Sequence, residues 1–411
     1  MHATPSPLAA TLPVPFAHRL LFTREVFAPA NSTLAQVLTP REPGERVRAL
    51  LVCDAGLCAA QPELTTRAVA WFSQHAAVAE LAAPPLVLPA GEAAKNDFAA
   101  LERLWTAIAD AGLCRHSYIV AVGGGALLDV AGFAAATAHR GIPLVRLPTT
   151  SLSQADSGVG VKCGVNRFGR KNWLGAFDVP HAVINDVAFL RTLPPRERRA
   201  GLAEAVKVAL IRDGAFFEWL VARSDAIAGA DLAVYEHAIA TSARLHFEHI
   251  ASGGDPFERG SARPLDFGHW AAHKLEQLSA FRLGHGDAVA VGLALDLVYA
   301  RRAGLLDAAI AERALALLER FEFALHVSEL DLRRVDGHRC VLDGLQEFRE
   351  HLGGRLSIPM IRAPGVRVDL HAVDLAAYEG AADELRERSE ARPAGRSESG
   401  VKPDLRKGAL G

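Results

Sequence analysis

The sequence predicts an α/β protein in two parts: a parallel sheet with helices on both faces, followed by an all-α part. In the first half of the 411 residues, short apolar runs alternate with segments of helical periodicity. From about residue 196 onwards, nearly every segment has helical periodicity. We therefore expect a flexible N-terminus (1–17), an α/β domain (18–195), a helical domain (196–385) and a disordered tail (386–411).

The strands of the first half are near-continuous apolar runs, as in a sheet covered on both faces. We predict them at 47–53, 117–122, 142–147 and 181–186. Helices are predicted at 98–113 and in the segment LLDVAGFAAATAHR, which gives the strand–helix order of a Rossmann-like domain. In the second half we predict helices at 200–221, 228–250, 265–280, 285–303, 307–322 and 368–386.

Composition and charge argue against several classes of protein. Lys and Arg total 45 and Asp and Glu total 47, so no overall field attracts nucleic acid or an anionic membrane. No uninterrupted apolar run reaches the roughly 18–20 residues of a membrane span, and no basic segment precedes an apolar core as in a signal peptide. The five cysteines lack metal-site spacing and are interpreted as reduced thiols. We expect a cytoplasmic protein without a nucleic-acid or membrane partner.

Three successive glycines, Gly123, Gly124 and Gly125, follow a predicted strand and open a predicted helix, with Asp129 one turn later. Glycine exposes bare backbone, and N–H groups at the start of a helix are suited to binding phosphate. A phosphate-bearing cofactor is therefore the first candidate ligand, although a glycine cluster alone does not identify one.

Acidic and basic side chains in the second half have spacings that suit a metal-binding or catalytic site. Glu204 and Lys207 are three residues apart on one helix face, and His269 and His273 are four apart on another. His285 lies between two glycines at the start of a further helix. A carboxylate and two imidazoles from separate helices could form an open divalent-metal site. A histidine pair at this spacing also occurs at surfaces and in cores.

The segment 147–177 is predicted to be a long functional loop rich in Ser, Thr, Gly and basic residues. Thr149 and Thr150 offer hydroxyls, Lys162 and Lys171 offer phosphate contacts, and Asp156 offers a carboxylate. Apolar residues lie between the charges, and a purely solvated basic loop would not need them.

From about Asp54 to Gly292 the sequence resembles the 3-dehydroquinate synthases and related sugar phosphate cyclases. The resemblance is carried by the motifs PAGEAAK, GGGALLD, LPTTSLSQADSGVGVKCGVN, RKNWLGAF, FLRTLPPRERRAGLAEAVK and FGHWAAH. It implies a dehydroquinate synthase-like fold that binds NAD+ and a divalent metal, Zn2+ or Co2+. The implied cofactor residues are Asp54, Glu92, Lys95, Gly124, Gly125, Asp129, Thr149, Thr150, Lys171, Thr192 and Leu193. The implied metal ligands are Glu204, His269 and His285, and the implied catalytic and phosphate contacts are Arg140, Asp156, Lys162, Asn172, Lys207 and His273.

The resemblance also implies a reaction and an assembly. Bound NAD+ transiently oxidises a seven-carbon sugar phosphate, phosphate is eliminated, and the product closes to a carbocycle. The first-choice substrate is 3-deoxy-D-arabino-heptulosonate 7-phosphate, and the expected assembly is a homodimer.

The sequence departs from the dehydroquinate synthase pattern where the substrate carboxylate would bind. A Lys, an Arg and an Asn of the family fall on Glu248, Ala262 and Asp266, and a further Lys falls on Val366, or on Arg367 after a one-residue shift. Three alternatives stay open: a sedoheptulose 7-phosphate cyclase of the epi-valiolone synthase type, a metal-dependent alcohol or glycerol dehydrogenase, and a non-catalytic homologue.

Overall fold

The computed structural model describes residues 8–42, 44–96, 98–168, 170–229, 231–260 and 263–391. It confirms the predicted fold class, with a parallel sheet and flanking helices in the first part and a helical second part. Within these ranges, no helix has both the length and the apolar composition that a bilayer crossing requires.

Seven parallel strands form the central sheet. They are β1 Leu20–Thr23, β2 Val47–Asp54, β3 Ala79–Leu81, β4 Leu86–Leu88, β5 Tyr118–Gly123, β6 Leu144–Pro148 and β9 Ala182–Asp186. Their order is β1-β9-β6-β5-β2-β3, and β4 also pairs with β2. The four predicted strands are confirmed. The sequence analysis missed β1, β3 and β4, because three or four residues are too few for a periodic signal.

Helices cover both faces of this sheet. They are α1 Thr33–Val37, α2 Ala55–Ala60, α3 Leu64–Gln74, α4 Ala99–Asp110 and α5 Gly125–Thr137. Successive residues of β2 enter different cores: Leu51 packs with Trp71 of α3, whereas Leu50 packs with Leu104 of α4. The alternation of side chains along a strand thus produces the near-continuous apolar runs seen in the sequence.

The prediction of a loop over 147–177 is wrong for most of its length. A π-helical turn, Ser153–Ser157, follows β6, and an antiparallel hairpin comes next, with strands β7 Lys162–Arg167 and β8 Arg170–Phe177. Val165 of β7 is buried in the core that contains α5, and Leu174 of β8 packs against the same core. Val165 and Leu174 therefore lie on the inner face of the hairpin, Val159 and Val161 are buried just before it, and Trp173 is half exposed.

The second part contains nine helices within the described residues: α6 Pro195–Arg212, α7 Gly214–Ala222, α8 Ser224–Ala228, α9 Leu232–Ser252, α10 His269–Leu278, α11 His285–Arg302, α12 Ala308–Arg320, α13 Asp343–His351 and α14 Leu375–Ala391. The single helix predicted over 200–221 is two helices. Asp213 separates them, and its carboxylate accepts a hydrogen bond from Phe216 N at 2.9 Å, which starts α7.

The end of the second part differs from the prediction in two ways. Strands β10 Ile358–Ala363 and β11 Val366–Leu370 form an antiparallel pair, so the helix predicted over 368–386 begins only at Leu375. That helix, α14, continues to Ala391, past residue 385 where we placed the end of the helical domain.

Helix α6 joins the two parts of the protein. All its residues from Gly201 to Ile211 are buried, including Glu204 and Lys207. The loop after β6 packs directly on this helix: Ser151 Oγ accepts a hydrogen bond from Gly201 N at 2.9 Å. A Cβ on Gly201 would lie 2.5 Å from the Ser151 backbone, so glycine is required for this close approach. The contact holds the carboxyl edge of the sheet against α6.

Candidate active site

The three residues predicted as metal ligands lie together, each on a different helix. Glu204 is on α6, and His269 and His285 are the first residues of α10 and α11. Their ligand atoms all lie within 4.8 Å of one another. Glu204 Oε1 is 3.8 Å from Nε2 of His269 and 3.8 Å from Nε2 of His285. Two ligand atoms that each lie about 2.1 Å from a cation are at most about 4.2 Å apart, so the distance from Glu204 Oε1 to each Nε2 allows both atoms to bind the same ion.

The orientation of both imidazoles leaves Nε2 as the ligand atom. His269 Nδ1 lies 3.2 Å from the carbonyl oxygen of Phe267, to which it can only donate. His285 Nδ1 lies 3.1 Å from Glu276 Oε2. Because each Nδ1 carries the proton, each Nε2 has a free lone pair directed at Glu204.

The protonation states also fit a divalent metal. Glu204 Oε1 is buried and has no hydrogen-bond partner among the described residues. Burial, followed by the nearby Asp156, raises the pKa of Glu204, and the Lys207 ammonium that contacts this carboxylate offsets the rise only in part. Burial, followed by the Lys207 ammonium, holds the pKa of His269 well below its ordinary value, which keeps the ring neutral. A buried carboxylate oxygen without a hydrogen-bond partner and two imidazole nitrogens form a donor set suited to Zn2+ or Co2+.

Lys207 and Asp156 lie beside this triad. The Lys207 ammonium contacts Glu204 and lies 3.6 Å from Asp156 Oδ1. Burial alone would lower the pKa of Lys207, but Asp156 and Glu204 outweigh it and raise that pKa. For Asp156, burial favours the neutral acid, yet Lys207 and His246 hold its pKa well below the usual range. The site therefore presents a fixed ammonium and a fixed carboxylate.

Two further residues border the metal triad. His273 follows His269 by one helical turn, and its ring centroid is 5.5 Å from that of His269 and 5.9 Å from that of His285. Asp266 lies in a short 3-10 turn before α10, and its charge acts on both Lys207 and His273. A carboxylate is thus present where the resemblance leads us to expect an amide.

The glycine turn lies at the carboxyl edge of the sheet, where β5 meets α5. Gly124 occupies the N-cap position, and no side chain among the described residues caps the first turn of α5. A Cβ would lie 3.2 Å from Thr150 Cγ2 at Gly124 and 2.9 Å from Ser157 Oγ at Gly125. Neither glycine has a positive φ, so glycine is needed here because neighbouring side chains lie close to the backbone. The uncapped N–H groups of the first helical turn can donate hydrogen bonds to a phosphate.

The neighbouring strand ends place Asp54, Thr149 and Thr150 along the same edge. Asp54 ends β2 and caps α2 by accepting from Leu57 N at 3.0 Å, and burial raises its pKa. Thr149 is buried and donates its N–H to Gly123 O at 3.1 Å. The hydroxyl of Thr150 lies 2.8 Å from Ser153 Oγ.

A second polar cluster surrounds Lys95, whose side chain is only 2% exposed. The Lys95 ammonium lies 2.6 Å from Asp129 Oδ2 and also donates to Asn172 Oδ1. Glu92 Oε1 lies 3.7 Å from Lys95 Nζ and accepts from Asn166 Nδ2 at 3.0 Å. The structure thus places Asn172, predicted as a phosphate contact, among predicted cofactor residues near the tip of the hairpin.

The remaining predicted cofactor residues occupy two places. Lys171 donates a hydrogen bond to Glu276 Oε1 at 2.9 Å, and Glu276 in turn contacts His285, one of the predicted metal ligands. Thr192 lines a cavity of about 170 Å³ and accepts a hydrogen bond from Gln61 at 3.0 Å. Leu193 packs against the core of the second part.

Two predicted substrate contacts lie away from the triad. Lys162 is at the base of the hairpin, is half exposed and pairs with Glu258, which also lies 3.0 Å from Arg263. Arg140 is exposed after α5 with a φ of 62°, and within the described part of the chain no ion pair to it is present. The structure therefore does not bring Lys162, Asn172 and Arg140 into mutual contact.

Of the positions that depart from the family pattern, Ala262 lies outside the described residues. Glu248 is exposed on α9 and pairs with Arg244 at 2.7 Å, one turn away on the same helix. Val366 is half exposed, and Arg367 lies 3.2 Å from Asp369.

The sequence analysis missed several residues of the site. Glu276 contacts His285 and Lys171, and His246 lies 2.6 Å from Asp156. The spacing of Glu276, three residues after His273, is the signal that could have found it. His246 is 90 positions from Asp156 in the chain (246 − 156), so no local pattern indicates this contact.

Comparisons with known proteins identify the family of this chain. The 3-dehydroquinate synthase N-terminal family matches residues 85–200, and the 3-dehydroquinate synthase C-terminal family matches residues 201–339. A 3-dehydroquinate synthase of Symbiobacterium thermophilum is 40% identical over 293 residues, 71% of this chain and 79% of the relative. A 2-epi-5-epi-valiolone synthase of Streptomyces glaucescens is 43% identical over 234 residues, 57% of this chain and 60% of the relative.

A solved structure extends the similarity over nearly the whole chain. It is that of ValA, a 2-epi-5-epi-valiolone synthase from Streptomyces hygroscopicus subsp. jinggangensis 5008, with NAD+ and Zn2+ bound. Its TM-score is 0.81 at 27% identity, and the alignment covers 93% of this chain and 100% of ValA. Since the two family matches together span more than half of the chain, this protein belongs to the 3-dehydroquinate synthase family of sugar phosphate cyclases.

Proposed function

We propose that this chain is an NAD+- and divalent-metal-dependent lyase that converts a C7 ketose phosphate into a carbocycle with elimination of phosphate. The first-choice substrate is 3-deoxy-D-arabino-heptulosonate 7-phosphate, which makes the enzyme a 3-dehydroquinate synthase. The observation that carries the proposal is Glu204 Oε1, which is buried, lacks a hydrogen-bond partner among the described residues and faces Nε2 of His269 and His285 at 3.8 Å.

In this proposal Glu204, His269 and His285 hold the metal, which when bound polarises substrate oxygens. The glycine turn with Asp54, Lys95, Asp129 and Thr150 would hold NAD+, which would supply a reversible hydride acceptor for the carbon that bears a ring hydroxyl. The Lys207 ammonium, kept protonated by Asp156 and Glu204, stabilises negative charge that develops on a substrate oxygen. The ionised Asp156 accepts a hydrogen bond from a substrate hydroxyl and orients the ring.

The substrate phosphate is proposed to bind at the hairpin and its surroundings. Lys162 is exposed and its counter-ion Glu258 is partly exposed, so a dianionic phosphate can replace that carboxylate at low cost. The resemblance adds His273, Asn172 and Arg140 to the proposed set, although Asn172 and Arg140 do not contact Lys162 in the structure and would have to move toward the phosphate. Because the leaving phosphate can itself accept a proton, no strong protein base is needed at this end.

One observation favours a second substrate, sedoheptulose 7-phosphate. Asp266 places a negative charge near Lys207 and His273, where the resemblance leads us to expect an uncharged Asn. A carboxylate repels a substrate carboxylate and accepts hydrogen bonds from hydroxyls, so it suits a polyol head group. The names of the valiolone synthases among the similar proteins are consistent with this alternative.

The assembly and location belong to the proposal as well. We propose a cytoplasmic homodimer without nucleic-acid or membrane partners, from the family resemblance and the balanced charge. Light scattering of the purified protein measures the assembly directly. A monomer at all concentrations would contradict this part alone.

The test of the reaction is a phosphate-release assay with purified protein, NAD+ and Zn2+ or Co2+. The two C7 sugar phosphates are supplied in parallel, and inorganic phosphate and absorbance at 340 nm are followed together. We expect phosphate release without net NADH, because the cofactor is reoxidised in each turnover. Turnover of the sedoheptulose compound alone would replace our first choice with the second.

The same assay separates the cyclase from a metal-dependent alcohol or glycerol dehydrogenase. A dehydrogenase would accumulate NADH with glycerol or another alcohol and would release no phosphate. A non-catalytic homologue would show neither signal, and its Glu204→Ala variant would function normally in cells.

A further inference from the structure

The Glu276 carboxylate lies between two positively polarised groups of the site. Its Oε1 accepts a hydrogen bond from Lys171 Nζ at 2.9 Å, and its Oε2 lies 3.1 Å from His285 Nδ1. The side chain is only 5% exposed, so neither contact is an ordinary surface ion pair. Lys171 is on hairpin strand β8, Glu276 on α10 and His285 at the start of α11, so one carboxylate connects three elements.

We propose that Glu276 is a positioning residue that orients His285 toward the metal and couples metal binding to cofactor binding at Lys171. The inference rests on the proposed function for the identity of the two ligands. It goes beyond that function because it assigns a role to a residue that contacts neither ligand directly.

The orientation of His285 follows from the hydrogen bond. A carboxylate held by an ammonium can only accept, so His285 Nδ1 donates its proton to Glu276. The lone pair then lies on Nε2, which faces Glu204 Oε1 at 3.8 Å. A carboxylate behind a ligand histidine both fixes the ring and increases its basicity, and loss of such a partner typically lowers metal affinity about 10- to 100-fold.

The coupling follows from the sharing of one negative charge. A cation on His285 Nε2 polarises the Nδ1–H group and draws the Glu276 charge toward the histidine, which loosens the hold on Lys171. An anionic cofactor phosphate draws the Lys171 ammonium away from Glu276 and leaves more of that charge for His285. Both ligands shift the carboxylate in the same direction, so each is expected to increase the affinity for the other.

A competing explanation of the same geometry is a second metal site. One ligand atom each of His273, Glu276 and His285 lies within 4.8 Å of the others. Both oxygens of Glu276 are already engaged by Lys171 and His285, however, and a metal there would have to displace the ammonium. The positioning role requires no such rearrangement.

The first experiment measures metal affinity without substrate, by competition of Co2+ between the protein and a chromophoric chelator. We expect Glu276→Gln to weaken Co2+ binding about 10- to 100-fold and to change the visible absorption of bound Co2+. Glu276→Asp, which keeps the charge on a shorter stem, should give an intermediate loss. Glu347→Gln is the matched control: Glu347, on α13, is half exposed and pairs at 2.5 Å with Lys274, which is on α10 like Glu276. It should bind Co2+ like the wild type.

The second experiment repeats the Co2+ titration with saturating NAD+. In the wild type we expect NAD+ to strengthen Co2+ binding by about fivefold or more. In Lys171→Gln, which removes the ammonium from Glu276, Co2+ affinity without NAD+ should rise toward the value of the wild type with NAD+, and the NAD+ effect should be lost. A purely structural Lys171–Glu276 ion pair predicts instead that Lys171→Gln and Glu276→Gln lose Co2+ equally.

The outcomes separate this inference from the proposed function. Normal Co2+ binding by Glu276→Gln, with wild-type absorption, would overturn the role of Glu276 and leave the metal site intact. Two Co2+ ions per wild-type chain and one per Glu276→Gln chain would support the second-site explanation and contradict ours. Absence of Co2+ binding by the wild type would refute the proposed function and this inference with it.

Discussion

His246 Nδ1 lies 2.6 Å from Asp156 Oδ1, although the two residues are on different parts of the fold, α9 and the π-helical turn after β6. Asp156 is anionic and can only accept, so His246 donates the proton of Nδ1. The imidazole thereby fixes the carboxylate that faces Lys207 at 3.6 Å.

We therefore predict that His246→Leu lowers kcat/KM for phosphate release roughly 10- to 100-fold by releasing Asp156 from its position. His246→Asn, whose amide N–H replaces Nδ1, should stay within about threefold of the wild type. Because His246 also helps to lower the pKa of Asp156, the acidic limb of the pH–rate profile should move to higher pH in His246→Leu. Equal losses in the two variants, with an unchanged pH profile, would argue against this role.

The packing of α10 on α11 gives a second prediction. Helix α11 approaches the start of α10 so closely that a Cβ on Gly292 would lie 2.0 Å from Gly268 O. Gly292→Ala should therefore cost about 3 kcal/mol of stability, because backbone cannot yield as a side chain can. It should also weaken metal binding, since it shifts His269 relative to His285.

The measurement is urea unfolding together with Co2+ titration of Gly292→Ala. Gly160→Ala is the control, because its Cβ would meet only ordinary contact, 3.5 Å from Ser157 O. A Gly292→Ala protein as stable as the control would show that the two helices can separate freely.

His249 gives a prediction of pH-dependent stability. Burial, followed by the charge of Arg212, lowers the pKa of His249 from 6.5 to about 4. Arg212 Nη1 lies 3.1 Å from His249 Nδ1, so the ring accepts a hydrogen bond there and cannot do so once Nδ1 is protonated. Between about pH 6.5 and 4, His249 is protonated in the unfolded chain but neutral in the folded chain. The free energy of unfolding therefore falls as the pH falls through this window.

The expected loss is on the order of 1 kcal/mol, reduced from the full shift because the ring is partly exposed. Urea unfolding at pH 7 and pH 4.5, with EDTA present, should show a smaller decrease for His249→Asn, which keeps an acceptor near the Nδ1 position and does not titrate. An identical pH dependence in both proteins would exclude His249 as the cause.

Metal removal gives a fourth prediction. At a free Zn2+ concentration of about 100 times Kd, binding to the folded state adds about 2.7 kcal/mol. Excess EDTA should therefore lower the Tm of the wild type by on the order of 5 °C. Glu204→Gln has the same shape but loses a charged ligand, so its Tm should not respond to EDTA. Glu218→Gln, which removes an exposed ion pair with Arg313, should respond like the wild type.

The sequence could predict the elements with strong periodicity and the motifs that lie within one element. It predicted the four apolar strands and, individually, the candidate ligands Glu204, His269 and His285. It could not predict the hairpin over 162–177, because basic residues such as Lys162, Arg167 and Lys171 interrupt the alternation of its apolar residues. The sequence also could not predict contacts between distant positions. Lys171 and Glu276 are 105 positions apart in the chain, and only the fold brings them together.

The central claim is that Glu204, His269 and His285 bind one divalent cation. Its most direct test is anomalous diffraction at the cobalt edge from crystals grown with Co2+ and NAD+. The account predicts one peak per chain, with Glu204 Oε1 and Nε2 of both histidines about 2.1 Å away. A peak bounded by His273 and Glu276 instead, or no peak at full Co2+ saturation, would contradict it.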